Sequence, residues 1–307
     1  MYKRQDLEKA AFKTDNPIEE MGIKQDVIAA PISKMVKDCL ADTGMDNKSM
    51  LKCRNMFAVG LVCWLFSRDL TIAEEFIREK FAKKPEIAEA NIKVIRAGYD
   101  YGHNTHASAS HTYKIESKVK TPGRYMDITG NKATAYGFIA AAEKAGLKLY
   151  LGSYPITPAT DVLHELSKHK SLGVMTVQCE DEISGCASAV GASFAGALAV
   201  TSTSGPGICL KSEAMNLAVI MELPLVVLDV QRGGPATGLP TKSEQTDLLQ
   251  VLFGRNGESP MPVLAATSPT DCFECAYMAS KIALEHMTPV VLLTDAFVAN
   301  GLSLIHI

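Results

Sequence analysis

The sequence has no strong excess of charge of either sign. Its 31 lysines and arginines face 34 aspartates and glutamates, which leaves a formal net charge of −3. Nucleic-acid-binding proteins and surfaces that adhere to membranes carry a marked basic excess, so this balance argues against both. No apolar run reaches the ~18 residues that a membrane-spanning helix needs. We therefore predict neither a nucleic-acid partner nor a membrane partner.

Cysteines are present, but they lack the spacing of a disulfide or metal framework. The eight cysteines are scattered and lie mostly in apolar segments, which is typical of reduced thiols. The C-x-x-C motif from Cys272 to Cys275 has no second pair to complete a zinc or iron–sulfur site. The first residues contain no apolar signal core. These absences favour a cytoplasmic protein, and we predict no metal site in this chain.

The two ends of the sequence differ from what lies between them. Residues 302–307 can be back-translated into the mosaic end of a transposase adaptor used in DNA sequencing libraries, and residues 1–5 into its reverse complement. We therefore expect both segments to be non-native ends, and residues 6–301 to be an internal slice of a longer protein.

What the sequence does contain is the composition of a globular protein. Hydrophobic residues make up 47% and charged residues 21% of its 307 residues, a length typical of about two domains. The first hundred residues are predicted to be mostly helical, and the apolar stretch 53–66 is expected to be buried all round. A third helix is expected to begin at Pro85 and run toward Arg96. Segment 98–130 has weak periodicity and is interpreted as a linker or an extended crossing segment.

After residue 130, short Val/Leu-rich runs alternate with longer helical patterns. The predicted strands are 148–153, 173–179, 197–203, 223–230, 263–267 and 289–294. The predicted helices are 131–145, 158–169, 181–195, 208–221, 243–253 and 269–287. This alternation predicts an α/β domain with a parallel sheet and helices on both faces. In such sheets ligands bind beyond the carboxyl ends of the strands.

The first two of these strand ends carry residues suited to chemistry. After strand 148–153, two prolines stiffen the turn around Thr157, whose hydroxyl either caps the following helix or faces a ligand. After strand 173–179, Glu180, Asp181 and Glu182 open a helix rich in glycine and alanine. These acids either stabilise the helix dipole or present a carboxylate to a flat ligand that the small residues let approach.

The next two strand ends carry glycine-rich loops. The segment TSTSGPG at 201–207 is either an anion-binding loop or a tight packing turn. It lacks a P-loop lysine and a dinucleotide fingerprint, which argues against an ordinary nucleotide-binding domain. Arg232, before a loop with three glycines, is placed either to hold a carboxylate with two hydrogen bonds or to form a surface ion pair.

Taken in order, four motifs resemble one family, the α subunits of 2-oxoacid:ferredoxin oxidoreductases, most closely the 2-oxoglutarate type. The motifs are SYPITPAT, VQCEDEISG, TSTSGPG and DVQRGGPATGLPTKSEQTDL. The resemblance covers residues 131–301 and implies a parallel-sheet pyrimidine-binding domain for thiamine diphosphate. Residues 6–110 resemble the end of the γ-type domain that precedes this module in fused α subunits. They would be a partial, mostly helical remnant of that α/β domain, joined through a linker at 111–130.

The resemblance implies oxidative decarboxylation of a 2-oxoacid, 2-oxoglutarate first of all, to its acyl-CoA with electrons passed to ferredoxin. In the family a glutamate hydrogen-bonds the aminopyrimidine ring of thiamine diphosphate and promotes its imino tautomer. Glu182 matches that glutamate by motif position, with Glu180 as the alternative. Arg232 matches the arginine that holds the substrate carboxylate, and Thr157 the threonine near substrate and cofactor. The resemblance also places three residues around the cofactor: Tyr154, Pro155 and Gly205.

Two family features are missing from the sequence, namely the G-D-G motif that holds diphosphate and magnesium, and the cysteines that ligate clusters. In the family both belong to a separate β subunit. The resemblance thus implies that Mg²⁺ and [4Fe–4S] clusters lie in that subunit, which would complete the active site. The implied partners are the β subunit, ferredoxin, the 2-oxoacid and coenzyme A. Two alternatives stay open: a non-catalytic assembly module of the same fold, and specificity for pyruvate or a branched-chain 2-oxoacid.

Overall fold

In a computed structural model of the chain, the described residues are 8–14, 17–22, 27–105, 112–115 and 121–306. They fall into two units that divide after residue 120. The suspected foreign segment 1–5, residue 307 of the suspected foreign segment 302–307, and residues 111 and 116–120 of the expected linker 111–130 lie outside the described residues. No helix in the described ranges is both long and apolar enough to cross a membrane.

The first unit is helical, as predicted. Its helices are α1 (Pro17–Glu20), α2 (Ile32–Leu40), α3 (Asn47–Lys52), α4 (Arg54–Leu65), α5 (Thr71–Lys80) and α6 (Pro85–Thr105), with a 3₁₀ turn at Ala41–Thr43. Pro85 begins α6 as expected, because a proline at the first helical position loses no intrahelical hydrogen bond. The helix continues past Arg96 and through Gly98 instead of ending there. The glycines of this stretch therefore belong to a helix and not to a domain boundary.

Two glycines let α4 and α6 pack backbone against backbone. A Cβ on Gly60 would lie 1.9 Å from the carbonyl oxygen of Ile95, and one on Gly98 would lie 2.1 Å from that of Phe57. The contact buries only one face of α4: Val59 and Val62 on the other face are 39% and 51% exposed. The prediction that 53–66 is buried all round is therefore wrong for this unit.

The second unit has the predicted α/β architecture. Its strands are β1 (Tyr125–Thr129), β2 (Leu149–Ser153), β3 (Val174–Gln178), β4 (Leu198–Thr203), β5 (Leu225–Gln231), β6 (Val263–Ala265), β7 (Pro289–Asp295) and β8 (Leu302–His306). Its helices are α7 (Gly130–Ala145), α8 (Thr160–Leu166), α9 (Glu182–Phe194), α10 (Pro206–Leu210), α11 (Ser212–Ile220), α12 (Leu248–Phe253), α13 (Asp271–His286) and α14 (Ala296–Asn300). A 3₁₀ turn at Lys170–Leu172 precedes β3.

Six of the strands form a parallel sheet in the order β3-β2-β4-β5-β7-β6. Consecutive residues of β5 point to opposite faces, since Val227 belongs to one hydrophobic cluster and Leu228 to the other. Helices α7 and α13 cover the face with Leu228, and α9 and α11 cover the face with Val227. The prediction of helices on both faces is confirmed.

The observed secondary structure differs from the sequence-based prediction where pairing between distant strands, or the geometry of a loop, determines the conformation. Strand β1 lies inside the segment expected to be a linker and pairs antiparallel with β8, which the sequence pattern did not predict because its partner is far along the chain. The single helix expected over 208–221 is divided at Lys211. The helix expected over 243–253 forms only from Leu248, and the preceding residues stay in an irregular loop.

We predict that Gly98→Ala lowers the unfolding free energy of the first unit by about 3 kcal/mol, because the added methyl group must push α4 away from α6. Chemical denaturation followed by circular dichroism measures the change. The matched control is Gly191→Ala, where an added Cβ meets no atom within 4 Å. Equal unfolding free energies for the two variants would show that α4 and α6 can move apart without loss of stability.

Candidate active site

The four motif-bearing strands are direct neighbours in the sheet, in the order β3-β2-β4-β5. All are parallel, so their carboxyl ends meet at one rim. Ser153 at the end of β2 lies opposite Gln178 of β3 and Ser202 of β4. The Oγ atoms of Ser153 and Ser202 are 2.7 Å apart and buried. The motif-bearing strand ends therefore share one rim, as predicted, and a hydrogen bond between Ser153 and Ser202 joins two of them.

The three acids after β3 occupy different environments. Asp181 caps α9: its side chain accepts a hydrogen bond from the amide of Ser184 at 2.7 Å, and Ser184 Oγ lies 3.2 Å from the amide of Asp181, which donates to it. Glu180 is exposed. Glu182, the first residue of the helix, is only 8% exposed, and no described residue donates a hydrogen bond to its carboxylate. Of the two candidate glutamates, Glu182 alone is a buried acceptor.

The glycine-rich loop after β4 packs directly against Glu182. A Cβ on Gly207 would lie 1.9 Å from Oγ1 of Thr203 and 2.8 Å from Cγ of Glu182. Gly205 has a φ of +38°, a backbone conformation that side chains disfavour. The Oγ atoms of Thr203 and Ser204 are buried without a hydrogen-bond partner. The loop is thus a tightly packed turn, and two hydroxyl groups beside it have no hydrogen-bond partner among the described residues.

Arg232, just after the end of β5, is buried with 4% exposure. Its Nη1 donates to the carbonyl oxygen of Thr157 and its Nη2 to that of Thr237, each at 2.6 Å. Its Nε is buried without a partner, and no carboxylate in the described part of the chain forms an ion pair with it. The alternative of a surface ion pair is therefore wrong. The guanidinium joins two loops, and its Nε–H donates to no described residue.

Thr157 is brought to Arg232, but through its main-chain carbonyl. The hydroxyl does not cap α8, which begins at Thr160 after the uncapped Ala159, so the capping prediction is wrong. The reason is that residues 157–159 form a turn, so the helix begins three residues after Thr157. Thr157 and Tyr154 are exposed and Pro155 is half-buried. These three side chains therefore lie at the solvent-exposed edge of the rim and not in its interior.

A cavity of about 600 Å³ opens beside Arg232. Its wall includes Gly205, the glycines after Arg232, Glu244 and Asp247. Gly205 also contacts Arg232 closely, since an added Cβ would lie 3.7 Å from Cγ of the arginine. The loop at 205–207 therefore touches Glu182 on one side and Arg232 on the other, and brings the predicted acid and cation to one place.

Two buried charged residues at this rim were not singled out from the sequence. Asp229 on β5 is fully buried, and burial, with a further contribution from Asp247, raises the pKa of its carboxyl well above the ordinary value. Lys211 is also fully buried, and burial lowers its pKa. Two features of the sequence could have identified these residues. One is an aspartate within the Val/Leu-rich run of β5, and the other is a lysine within the apolar stretch 206–220.

The cysteines do not form a reactive or metal-binding group. All eight are free of disulfides. Burial raises the pKa of Cys272 to about 12 and that of Cys275 to about 11. Both are therefore protonated thiols at neutral pH, which agrees with the structural role predicted for this C-x-x-C motif. Within the described ranges, no group of three or more His, Cys, Asp or Glu side chains could hold a metal ion.

Comparisons with known proteins identify the same two parts of the chain. The family described as pyruvate flavodoxin/ferredoxin oxidoreductase, thiamine diphosphate-binding, matches residues 140–307. The family described as pyruvate ferredoxin/flavodoxin oxidoreductase matches residues 8–101. The first match spans more than half of the chain.

Similar proteins carry related names. The 2-oxoglutarate oxidoreductase subunit KorA of Mycobacterium tuberculosis is 53% identical over 301 residues, which cover 98% of this chain and 46% of that protein. The 2-oxoglutarate synthase subunit KorA of Archaeoglobus fulgidus is 41% identical over 174 residues, which cover 56% of this chain and 49% of that protein.

A similar solved structure is the 2-oxoglutarate:ferredoxin oxidoreductase from Magnetococcus marinus with 2-oxoglutarate, coenzyme A and succinyl-CoA bound. It has 33% identity and a TM-score of 0.77, and the match covers 92% of this chain and 48% of that one. The chain therefore spans about half the length of the relatives it matches.

We predict that Asp229→Asn weakens the pH dependence of stability. Because burial raises the pKa of Asp229, the native chain retains a proton that the unfolded chain releases. The unfolding free energy then falls as pH rises above the ordinary carboxyl value of 3.8. Denaturation at a series of pH values should show a smaller fall in the variant. Asp127→Asn, at an exposed position of β1, is the control, and equal slopes for wild type and Asp229→Asn would contradict a buried neutral acid.

Proposed function

The chain belongs to the pyruvate flavodoxin/ferredoxin oxidoreductase family, as part of an α subunit, and from this premise we propose that it oxidatively decarboxylates 2-oxoglutarate together with a β subunit. The products would be carbon dioxide and succinyl-CoA, with ferredoxin receiving the electrons. The names of the KorA relatives, and the 2-oxoglutarate and succinyl-CoA bound to the Magnetococcus marinus enzyme, support this choice of 2-oxoacid.

The observation that carries the proposal is the environment of Glu182. Its side chain is only 8% exposed, its carboxylate accepts no hydrogen bond from the described residues, and it lies against a loop in which Gly207 has no side chain. A carboxylate in such a poorly hydrated position is stabilised when a ligand supplies a hydrogen-bond donor. The protonated ring nitrogen of an aminopyrimidine is such a donor. The residues of the rim therefore fit thiamine diphosphate.

Thiamine diphosphate supplies a nucleophilic carbon and accepts the electrons released when a 2-oxoacid loses carbon dioxide. Glu182 would accept the hydrogen bond of the ring nitrogen and so hold a proton there. Arg232 would place positive charge toward the carboxylate of the 2-oxoacid, using its free Nε donor. Thr157, Tyr154, Pro155 and Gly205 would border the same space.

The remaining parts of the machinery are assigned to the β subunit. We infer that it provides the Mg²⁺ and diphosphate contacts and the [4Fe–4S] clusters, and that the active site lies between the two subunits. Unpartnered hydroxyl groups of Thr203 and Ser204 at the rim support an incomplete site in this chain alone. Coenzyme A and ferredoxin would bind the assembled complex.

We expect Glu182→Gln to lower 2-oxoacid oxidation by about 10²-fold or more, because an amide cannot hold the ring nitrogen's proton as a carboxylate does. The measurement is viologen reduction by the full-length α subunit co-expressed with its β subunit. Glu180→Gln, two residues earlier and exposed, is the matched control and should retain activity. Wild-type activity in Glu182→Gln would favour the alternative of a non-catalytic module.

We expect Arg232→Lys to raise KM for the 2-oxoacid roughly tenfold or more, since the single nitrogen of lysine replaces the planar fork whose separate nitrogens reach both loops and the substrate. The same complex is assayed with 2-oxoglutarate, pyruvate and branched-chain 2-oxoacids, which also identifies the preferred substrate. Arg255→Lys is the control, because Arg255 likewise donates to two main-chain carbonyls, those of Val251 and Ser259. An unchanged KM for all substrates would limit Arg232 to joining the two loops.

A further inference from the structure

Lys211 is a fully buried lysine directly beneath the candidate catalytic glutamate. Its Nζ donates to the main-chain carbonyl of Glu182 at 3.1 Å and to Oγ1 of Thr201 at 2.9 Å. No carboxylate in the described ranges lies within ion-pair distance of Nζ. Lysine is almost never fully buried unless it is paired, so this position requires an explanation that helix packing alone does not supply.

The charges around Lys211 point to one compensating group. The titratable groups that face it are Cys186 on α9, Cys179 and Asp181 at the start of that helix, Asp229 on β5, and Glu182 itself. Burial raises the pKa of Cys186 to about 11, which keeps that thiol neutral. Burial also favours the neutral form of Asp229. Asp181 is exposed and already bound to the first turn of α9. Glu182 is the buried acid that remains.

We propose that Lys211 is a positioning residue that fixes the first turn of α9 and places a positive charge near the carboxylate of Glu182, where that carboxylate accepts the hydrogen bond of the cofactor ring. The inference rests on the proposed function. One hydrogen bond holds the main chain of Glu182, and the second ties the ammonium group to β4. These two hydrogen bonds restrict the ammonium group of Lys211 to a position near the Glu182 carboxylate. A lysine on the surface would be free to move away.

The consequence concerns the pH at which the imino tautomer of the bound ring forms. Formation of that tautomer with an ionised glutamate removes one proton from the pair of Glu182 and ring. A nearby cation favours the more negative state, so its removal must raise the pH at which the tautomer appears. For two charges several ångströms apart inside a protein, the expected shift is about one pH unit.

The test uses the full-length α subunit in complex with its β subunit and loaded with thiamine diphosphate. Near-ultraviolet circular dichroism follows the band of the imino tautomer as a function of pH. Lys211→Met removes both charge and donor, whereas Lys211→Gln removes the charge and keeps a donor. Both should move the midpoint upward by about one unit. Lys144→Met, which removes a positive charge from an exposed position, should leave the midpoint in place.

Glu182→Gln in the same assay separates the inference from the proposed function. Persistence of the imino band in Glu182→Gln would overturn the proposed role of Glu182 and, with it, the inference, whereas the activity assay tests the proposed function. Loss of the band in Glu182→Gln, together with a wild-type midpoint in the Lys211 variants, would overturn only the inference and leave Lys211 a structural residue. If Lys211→Met does not assemble, the midpoint of Lys211→Gln decides the outcome.

Discussion

The burial of charged side chains that form no ion pair, at a single rim of the sheet, is the constraint on which the rest of this structure depends. Glu182, Arg232 and Lys211 are each at least nine-tenths buried, and none forms an ion pair within the described residues. Burying a charge is expensive unless other groups compensate for the lost water. These three side chains therefore lie where neighbouring polar groups, or a ligand, must stabilise their charges.

The backbone supplies much of that compensation. Arg232 donates to carbonyl oxygens from the loops after β2 and β5, and Lys211 donates to the first turn of α9 and to β4. The two cations thus link all four neighbouring strand ends of the β3-β2-β4-β5 order. Side chains placed by this many fixed partners need little reorganisation when a ligand arrives, which is the arrangement that electrostatic catalysis requires.

Much of this arrangement could be predicted from the sequence, because parallel β-α units obey strong rules. The alternation after residue 130 predicted the sheet, and the carboxyl-end rule predicted that Glu182 and Arg232 would share a rim. What could not be predicted depends on contacts distant in the sequence. Thr157 meets Arg232 through a carbonyl and not a hydroxyl, and Lys211 reaches back from a later helix to Glu182. Strand β1 needs a partner from far along the chain.

Several buried polar atoms at this rim have no hydrogen-bond partner among the described residues. Where the backbone can satisfy a buried donor it does so, as with both terminal nitrogens of Arg232. Exceptions at this rim include the Nε of Arg232 and the hydroxyl groups of Thr203 and Ser204, all near the loop that packs against Glu182. Buried polar groups in native proteins almost always find partners, so these exceptions support the proposal that another molecule binds at this rim.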